Sequence, residues 1–202
     1  MPPFLLKIKR FTEKNDKARK KSMKKRLKQL LIVGILSICL VSLIVCRGRY
    51  EELPQIEVLF SPEQGEEILA ELTEAIQGAE ERIYILIYSF TLDELARVLI
   101  DKHEQGIDVR VIMDRGQASL KSAVTETLNQ AGIPLLIKTG SKGGYMHFKV
   151  LIADETVFTG SYNYSKNATY NTDENFLIIR DKRILQAYLE KFKRLWTNGQ
   201  RD

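Results

Sequence analysis

The sequence predicts an α/β domain, a mixed β-sheet flanked by helices, behind one N-terminal transmembrane helix. Three observations predict it. From Glu51 onward, short runs of β-branched and aromatic residues alternate with amphipathic stretches bounded by capping residues and glycines. The run Arg82–Phe90 (RIYILIYSF) is almost wholly apolar, as a strand covered on both faces must be. Upstream, Leu30–Cys46 is 17 residues without a charge. That is the lower limit for crossing a hydrocarbon core of about 30 Å.

The apolar run has only Ser37 and Ser42 as polar positions, so it has no stripe that a buried soluble helix would turn to water. It is followed by Arg47-Gly48-Arg49 without a small-residue cleavage pattern, and Val45 precedes Cys46 where a lipoprotein site is weak. It reads as an uncleaved signal-anchor. Residues 1–29 carry twelve Lys/Arg against Glu13 and Asp16. This predicts a cell-membrane protein of one span, with a basic cytoplasmic tail at 1–29 and the domain outside the cytoplasm, although Arg47 and Arg49 oppose that orientation. A linker over 47–55, marked by Pro54, leads to a domain at 56–202.

The domain elements follow in order. Ile56–Phe60 is a strand; Ser61-Pro62-Glu63-Gln64 opens a helix to about Ala79. After the strand Arg82–Phe90, Thr91-Leu92-Asp93-Glu94 has the form of a capping box, and Gly106 stops the helix it begins. Ile107–Met113 is a strand ending at Asp114. Ser119–Ala131 is a helix closed by Gly132. Ile133–Ile137, His147–Ala153, Thr156–Thr159 and Asn175–Arg180 are strands, and Asp181 caps a final amphipathic helix through Trp196.

The charge of +5 belongs to the tail. With +10 on residues 1–29, the remainder sums to −5, so the high isoelectric point says nothing about nucleic acid at the domain. Both cysteines, Cys39 and Cys46, lie in the apolar run, and the two histidines are His103 and His147. A disulfide framework and a His/Cys zinc site are thereby excluded; an oxygen-ligand site is not.

Chemistry concentrates at 138–174. A segment with three glycines and two lysines, Lys138–His147, runs straight into an apolar strand. Two residues apart on that strand, His147 and Lys149 share a face. A neutral imidazole is a nucleophile or base near neutral pH, and an adjacent ammonium stabilises phosphoryl charge. Ser161 and Asn163 alternate toward one face and offer donors to phosphate oxygens; Glu174 stands where a carboxylate would orient the imidazole. Plainer readings win elsewhere. Asp114 reads as a turn or cap former, Arg115, Lys121 and Lys166 as solvated surface, and Tyr162 and Tyr164 as core or dimer contacts.

His147-x-Lys149-x4-Asp154, followed by Gly160-Ser-x-Asn163 and Glu174-Asn175, resembles the HxKxxxxD signature and trailing Gly-Gly/Ser-x-Asn element of the phospholipase D superfamily. Gly106–Asp114 resembles its GVxVRVLLD strand, and the similarity spans roughly Glu57–Trp196. The resemblance implies a metal-free and cofactor-free phosphodiesterase working through a phosphohistidine. His147 is then nucleophile in one subunit and general acid in the other. Lys149, Asn163 and Ser161 bind phosphate, Glu174 orients His147, and Asp154 completes the motif in a mainly structural role. One motif is half a site. His103, beside Lys102 and Glu104 on a predicted helix, is a poor second histidine. The chain is therefore similar to the small single-motif branch of twofold dimers, which includes a bacterial endonuclease and a mitochondrial-surface enzyme. Single-stranded DNA or RNA is the first expected substrate, a phospholipid such as cardiolipin the second; an idle interaction protein is the third reading.

Overall fold

The computed structural model describes residues 19–21, 23–35, 37 and 54–199. The chain divides into a unit up to Glu52 and a unit over Leu53–Asp202. In the first, the described residues of 19–37 are helical and exposed. Among the described residues no helix is long and apolar enough to cross a membrane. Of the expected transmembrane helix Leu30–Cys46, residues 36 and 38–46 lie outside the described residues.

The second unit is built on one seven-stranded mixed sheet in the order β1-β7-β6-β5-β2-β3-β4. The strands are β1 (Gln55–Ser61), β2 (Arg82–Ile87), β3 (Asp108–Asp114), β4 (Leu135–Lys138), β5 (Lys149–Ala153), β6 (Thr156–Gly160) and β7 (Glu174–Arg180). β2, β3 and β4 run parallel; the other neighbouring pairs are antiparallel. The helices are α1 (Gly65–Gly78), α2 (Asp93–Glu104), α3 (Arg115–Ala118), α4 (Thr125–Gln130), α5 (Lys166–Tyr170) and α6 (Lys182–Gly199).

Strand alternation sorts side chains onto two faces. Ile83, Ile85 and Ile87 of β2 share one core with Ile68 and Leu72 of α1 and with Leu95 and Leu99 of α2. Tyr84 and Leu86 point the other way, onto Leu185, Leu189, Phe192 and Leu195 of α6. Burial of both faces is why β2 lacks polar alternation. The α6 contact is anchored by Tyr84 stacked on Phe192 at 4.5 Å, with Arg110 between Tyr84 and Trp196 and bonded to Asp108. At its start, Asp181 Oδ1 accepts from the N–H groups of Arg183 and Ile184, as its expected cap role requires.

Several boundaries move. α1 begins at Gly65 rather than behind Ser61, because Ser61 stays in β1 and its hydroxyl donates to the Thr172 carbonyl. The expected capping box at Thr91 does not form: Leu92 is the N-cap residue and no side chain caps the helix. Of the expected helix Ser119–Ala131 only α4 (Thr125–Gln130) is helical; α3 ends at Ala118, and a break separates the two. There Val124 N–H donates to the Phe90 carbonyl and Thr125 Oγ1 to the Ala118 carbonyl, so tertiary bonds replace helical ones. β5 starts at Lys149, leaving His147 in the preceding loop, and α5 has no counterpart among the expected elements.

Candidate active site

Five chain segments meet at one end of the sheet: the ends of β2, β3 and β6 and the starts of β5 and β7. They bring together His147, Lys149, Ser161, Asn163 and Glu174. Asp154 is excluded. It lies past the far end of β5, where Ala153 pairs with Ile83, while Lys149 pairs with Ile87. Five residues of extended strand put it about 16 Å away along the sheet.

Asp154 has a different task. Its carboxylate accepts from the backbone N–H groups of Glu80, Glu81 and Arg82 at 2.8, 2.9 and 2.9 Å. Burial pushes its pKa up, but those donors and the Arg82 charge outweigh it, and the carboxyl sits below its usual range. Its backbone φ of 46° is in the left-handed region that Asp tolerates better than most residues. The aspartate thus closes the β5–β6 turn and fixes the entry to β2.

Lys149 is the buried member of the pair, only 6% exposed. Its ammonium donates to the His147 carbonyl at 3.2 Å and lies 4.7 Å from the centre of the Tyr88 ring. Burial lowers its pKa to about 8, with Glu174 and Asp114 pulling the other way. His147 stands at the surface, but its ring meets Tyr88 edge-on at 4.6 Å. That partial desolvation lowers its pKa, the Lys149 charge lowers it further, and Asp114 opposes both. Its neutral form therefore dominates near neutral pH.

Asn163 Oδ1 accepts from the Ser89 N–H at 3.2 Å, so its amide N–H₂ is the end left to donate. Ser161 Oγ accepts from the Asn175 N–H at 3.1 Å, leaving the hydroxyl proton for a ligand. Gly160 makes this approach feasible. At φ 152° a Cβ there would stand 2.1 Å from the Asn175 carbonyl oxygen. Glu174 accepts from Thr172 Oγ1 at 2.9 Å and acts electrostatically on Lys149. Among the described residues no hydrogen bond joins it to His147, so the expected orienting contact is not made within one chain.

Asp114 forms the cap expected of it: Oδ1 accepts from Gly116 and Gln117. It also does something the sequence conceals. Oδ2 accepts from the Met146 N–H at 2.9 Å, clamping the residue before His147. Tyr88 is a second site residue that sequence reasoning misses. The signal available is the place where the apolar run turns polar, at Tyr88-Ser89, because a strand leaving the core there enters a site. Its hydroxyl accepts from Gln117 Nε2 at 3.3 Å, and Tyr145, 73% exposed, packs against its ring. Tyr162 and Tyr164 are core residues, 1% and 2% exposed. His103 sits at the end of α2, next to Gly106, whose N–H its carbonyl accepts. That is the end of the sheet where β3 begins, opposite His147. Among the described residues no three His, Cys, Asp or Glu side chains gather as a metal site would need.

Beside the site is a cleft of about 710 Å³, lined by Arg115, Lys138, Lys191 and Arg194 together with the Gly140–Gly143 loop. Lys138 faces this cleft, whereas Lys149 lies buried.

The geometry has close counterparts. Residues 72–196 match the family model described as "Cardiolipin synthase, PLD-like domain". The chain is 31% identical over 163 residues to human mitochondrial cardiolipin hydrolase, covering 77% of this chain and 64% of that protein. It is 32% identical over 122 residues to a phospholipase D of Rickettsia prowazekii, covering 60% and 58%. It thus spans about three fifths of the length of these relatives. Among solved structures, NucT from Helicobacter pylori aligns with a TM-score of 0.66 at 27% identity, over 72% of this chain and 97% of that one. Nuc from Salmonella typhimurium, a phospholipase D family member, aligns at 0.63 and 28%, over 72% and 95%. With the motif's histidine and lysine at one sheet end, its aspartate at the other, and one copy of the motif in the sequence, the chain belongs to the phospholipase D superfamily, in its single-motif branch.

Proposed function

We propose that this protein is a metal-independent phosphodiesterase that cleaves a nucleic-acid strand through a phosphohistidine on His147, in a site completed by a second copy of the chain. The observation that carries the reading is the pairing of an imidazole held below its usual pKa with a buried ammonium at the sheet end, beside donors from Asn163 and Ser161.

In the proposed reaction a nitrogen of His147 attacks phosphorus. The N–P bond forms as the bond to the leaving oxygen breaks, and the second copy's histidine donates a proton to that oxygen. The same histidine then takes a proton from water, whose oxygen attacks phosphorus and releases His147. Lys149 and the Asn163 amide stabilise charge on the phosphoryl oxygens, assisted by Ser161. Glu174 supports the Lys149 charge. Asp154 has no part in the chemistry.

A nucleic-acid substrate is supported by the four basic side chains lining the adjoining cleft. A second reading, hydrolysis of a phospholipid such as cardiolipin, is favoured by the exposed Tyr145 at the site and by the names of the relatives. The basic tail and apolar run support a membrane anchor, with the domain outside the cytoplasm; protease accessibility on intact cells tests that orientation.

One assay tests the chemistry. The 202-residue protein, in EDTA, is given single-stranded DNA, RNA and cardiolipin vesicles. Cleavage of a strand that persists in EDTA and vanishes in His147→Asn is the expected result. Loss on chelation contradicts the metal-free reaction, unchanged cleavage by His147→Asn removes the nucleophile, and hydrolysis of lipid alone establishes the second reading.

A further inference from the structure

The cleft beside the site is more sharply built than a charged surface. Arg115 opens α3, Lys138 ends β4, and Lys191 and Arg194 belong to α6. These elements are far apart in sequence, yet they direct four cations into one concavity that no acidic side chain lines among the described residues. Among the described residues Arg115, Lys138 and Arg194 have no ion-pair partner, and Lys191 lies 5.5 Å from the Phe148 ring, next to His147. Uncompensated like charges repel one another, so this arrangement costs the folded chain stability until an anion enters.

The cleft is joined to the site through Asp114. Lys138 pairs with Asp114 across β3 and β4, and Asp114 holds the Met146 N–H ahead of His147. Between them the loop is drawn tight. Gly140 N–H donates to the Gly144 carbonyl at 2.6 Å, and a Cβ on Gly140 would stand 2.6 Å from the Tyr145 carbonyl oxygen. One side of the loop therefore lines the cleft, and its far end carries Tyr145 and His147. Among the described residues, Ile137 and Leu195 alone give the lining apolar side chains, too few to seat an acyl chain.

We propose that this cleft binds a second phosphate of the same nucleic-acid strand, adjacent to the phosphate that is cleaved. This rests on the nuclease reading and narrows it. The substrate is then a polyanion with at least two backbone phosphates, and the cleft fixes which way the strand crosses His147. Arg115 and Arg194 are exposed and come from different elements of the lining, so both can be changed without disturbing the core.

The test compares the 202-residue protein carrying His147→Asn with the same protein also carrying Arg115→Gln and Arg194→Gln. Binding of a short labelled single strand of DNA is followed by fluorescence anisotropy across a salt series. The basic tail is identical in both, so the difference reads the cleft. The expected result is binding about tenfold weaker, with a salt slope shallower by about 1.4 for two lost contacts to a single strand. With His147 intact, the double change is expected to lower kcat/KM on the strand by a similar factor. Hydrolysis of bis(p-nitrophenyl) phosphate, which has no second phosphate, stays unchanged. Equal strand binding by the two proteins overturns the subsite. A strand that binds through the cleft and is not cleaved supports the subsite while sinking the nuclease reading. If the double change weakens binding to cardiolipin vesicles and leaves strand binding untouched, the cleft is a lipid-headgroup site and the proposal fails.

Discussion

Lys149 is held where its charge is unfavourable to the fold and useful to the proposed reaction. The side chain is buried under Tyr88 and its pKa is lowered to about 8. The sign of the linkage follows. Below pH 8 both folded and unfolded chains carry the proton, and the folded state bears the full desolvation penalty. Between about pH 8 and the ordinary lysine value the folded chain binds fewer protons than the unfolded one, so stability rises with pH. Lys149→Met is accordingly expected to raise Tm near neutral pH, with a gain that shrinks as the pH passes about 9, while kcat falls by roughly a hundredfold or more. An unchanged or lower Tm at neutral pH would show that the ammonium is adequately solvated. Asp154 gives the opposite pattern. Asp154→Ala leaves three N–H groups without their acceptor and puts alanine at φ 46°, so a loss of about 2–4 kcal/mol is expected. Its activity per folded molecule, measured well below the lowered Tm, should match the parent, because nothing at the His147 end of the sheet has changed.

At the scale of elements, β6 and β7 place Ser161 and Asn163 by a close backbone approach at Gly160. In Gly160→Ala the new methyl meets the Asn175 carbonyl at 2.1 Å, in a backbone conformation alanine avoids. The strands must part there. The expected outcome is a drop of about 2 kcal/mol or more in urea unfolding, together with a rise in KM, since the displaced residues are those proposed to hold phosphate. A change in stability with unaltered KM would separate the strand contact from the site. Elements of this kind differ in how far the sequence exposes them. The sheet strands are legible because apolar runs and turns mark them, and the Asp181 cap because its bonds are local. The break between α3 and α4 is not legible. It depends on the Phe90 carbonyl, 34 positions from Val124, capturing an N–H that periodicity assigns to a helix. Spacing puts His147 on a strand for the same reason: the bond from Met146 N–H to Asp114 that keeps it in a loop spans 32 positions. The motif makes Lys149, Asn163 and Glu174 visible; Tyr88 is marked only by the turn from apolar to polar at Tyr88-Ser89, and the second bond of Asp114, 32 positions away, by nothing local.

For the whole molecule, the decisive fact is that one sheet end holds one histidine. His103 is at the opposite end of the seven-residue β3, about 20 Å away along the strand, and cannot reach the same phosphate. If attack and leaving-group protonation each need an imidazole, the second must come from another chain, and a twofold axis beside His147 is the arrangement that supplies it with one kind of surface. This makes a prediction that residue-by-residue changes do not. Parent and His147→Asn chains, mixed in equal amounts and allowed to exchange, form parent, mixed and doubly substituted pairs. In a shared site every mixed pair lacks either the nucleophile or the acid, so only parent pairs work, and activity settles at about a quarter of that of an all-parent sample of the same total concentration. Two self-sufficient sites would leave about a half. Dilution provides the independent check. A shared site loses specific activity as the pairs dissociate, on the concentration scale at which sedimentation shows monomers. A monomer that retains full activity would require one imidazole to perform both proton-coupled steps, and the phosphohistidine route proposed for this chain would have to be abandoned.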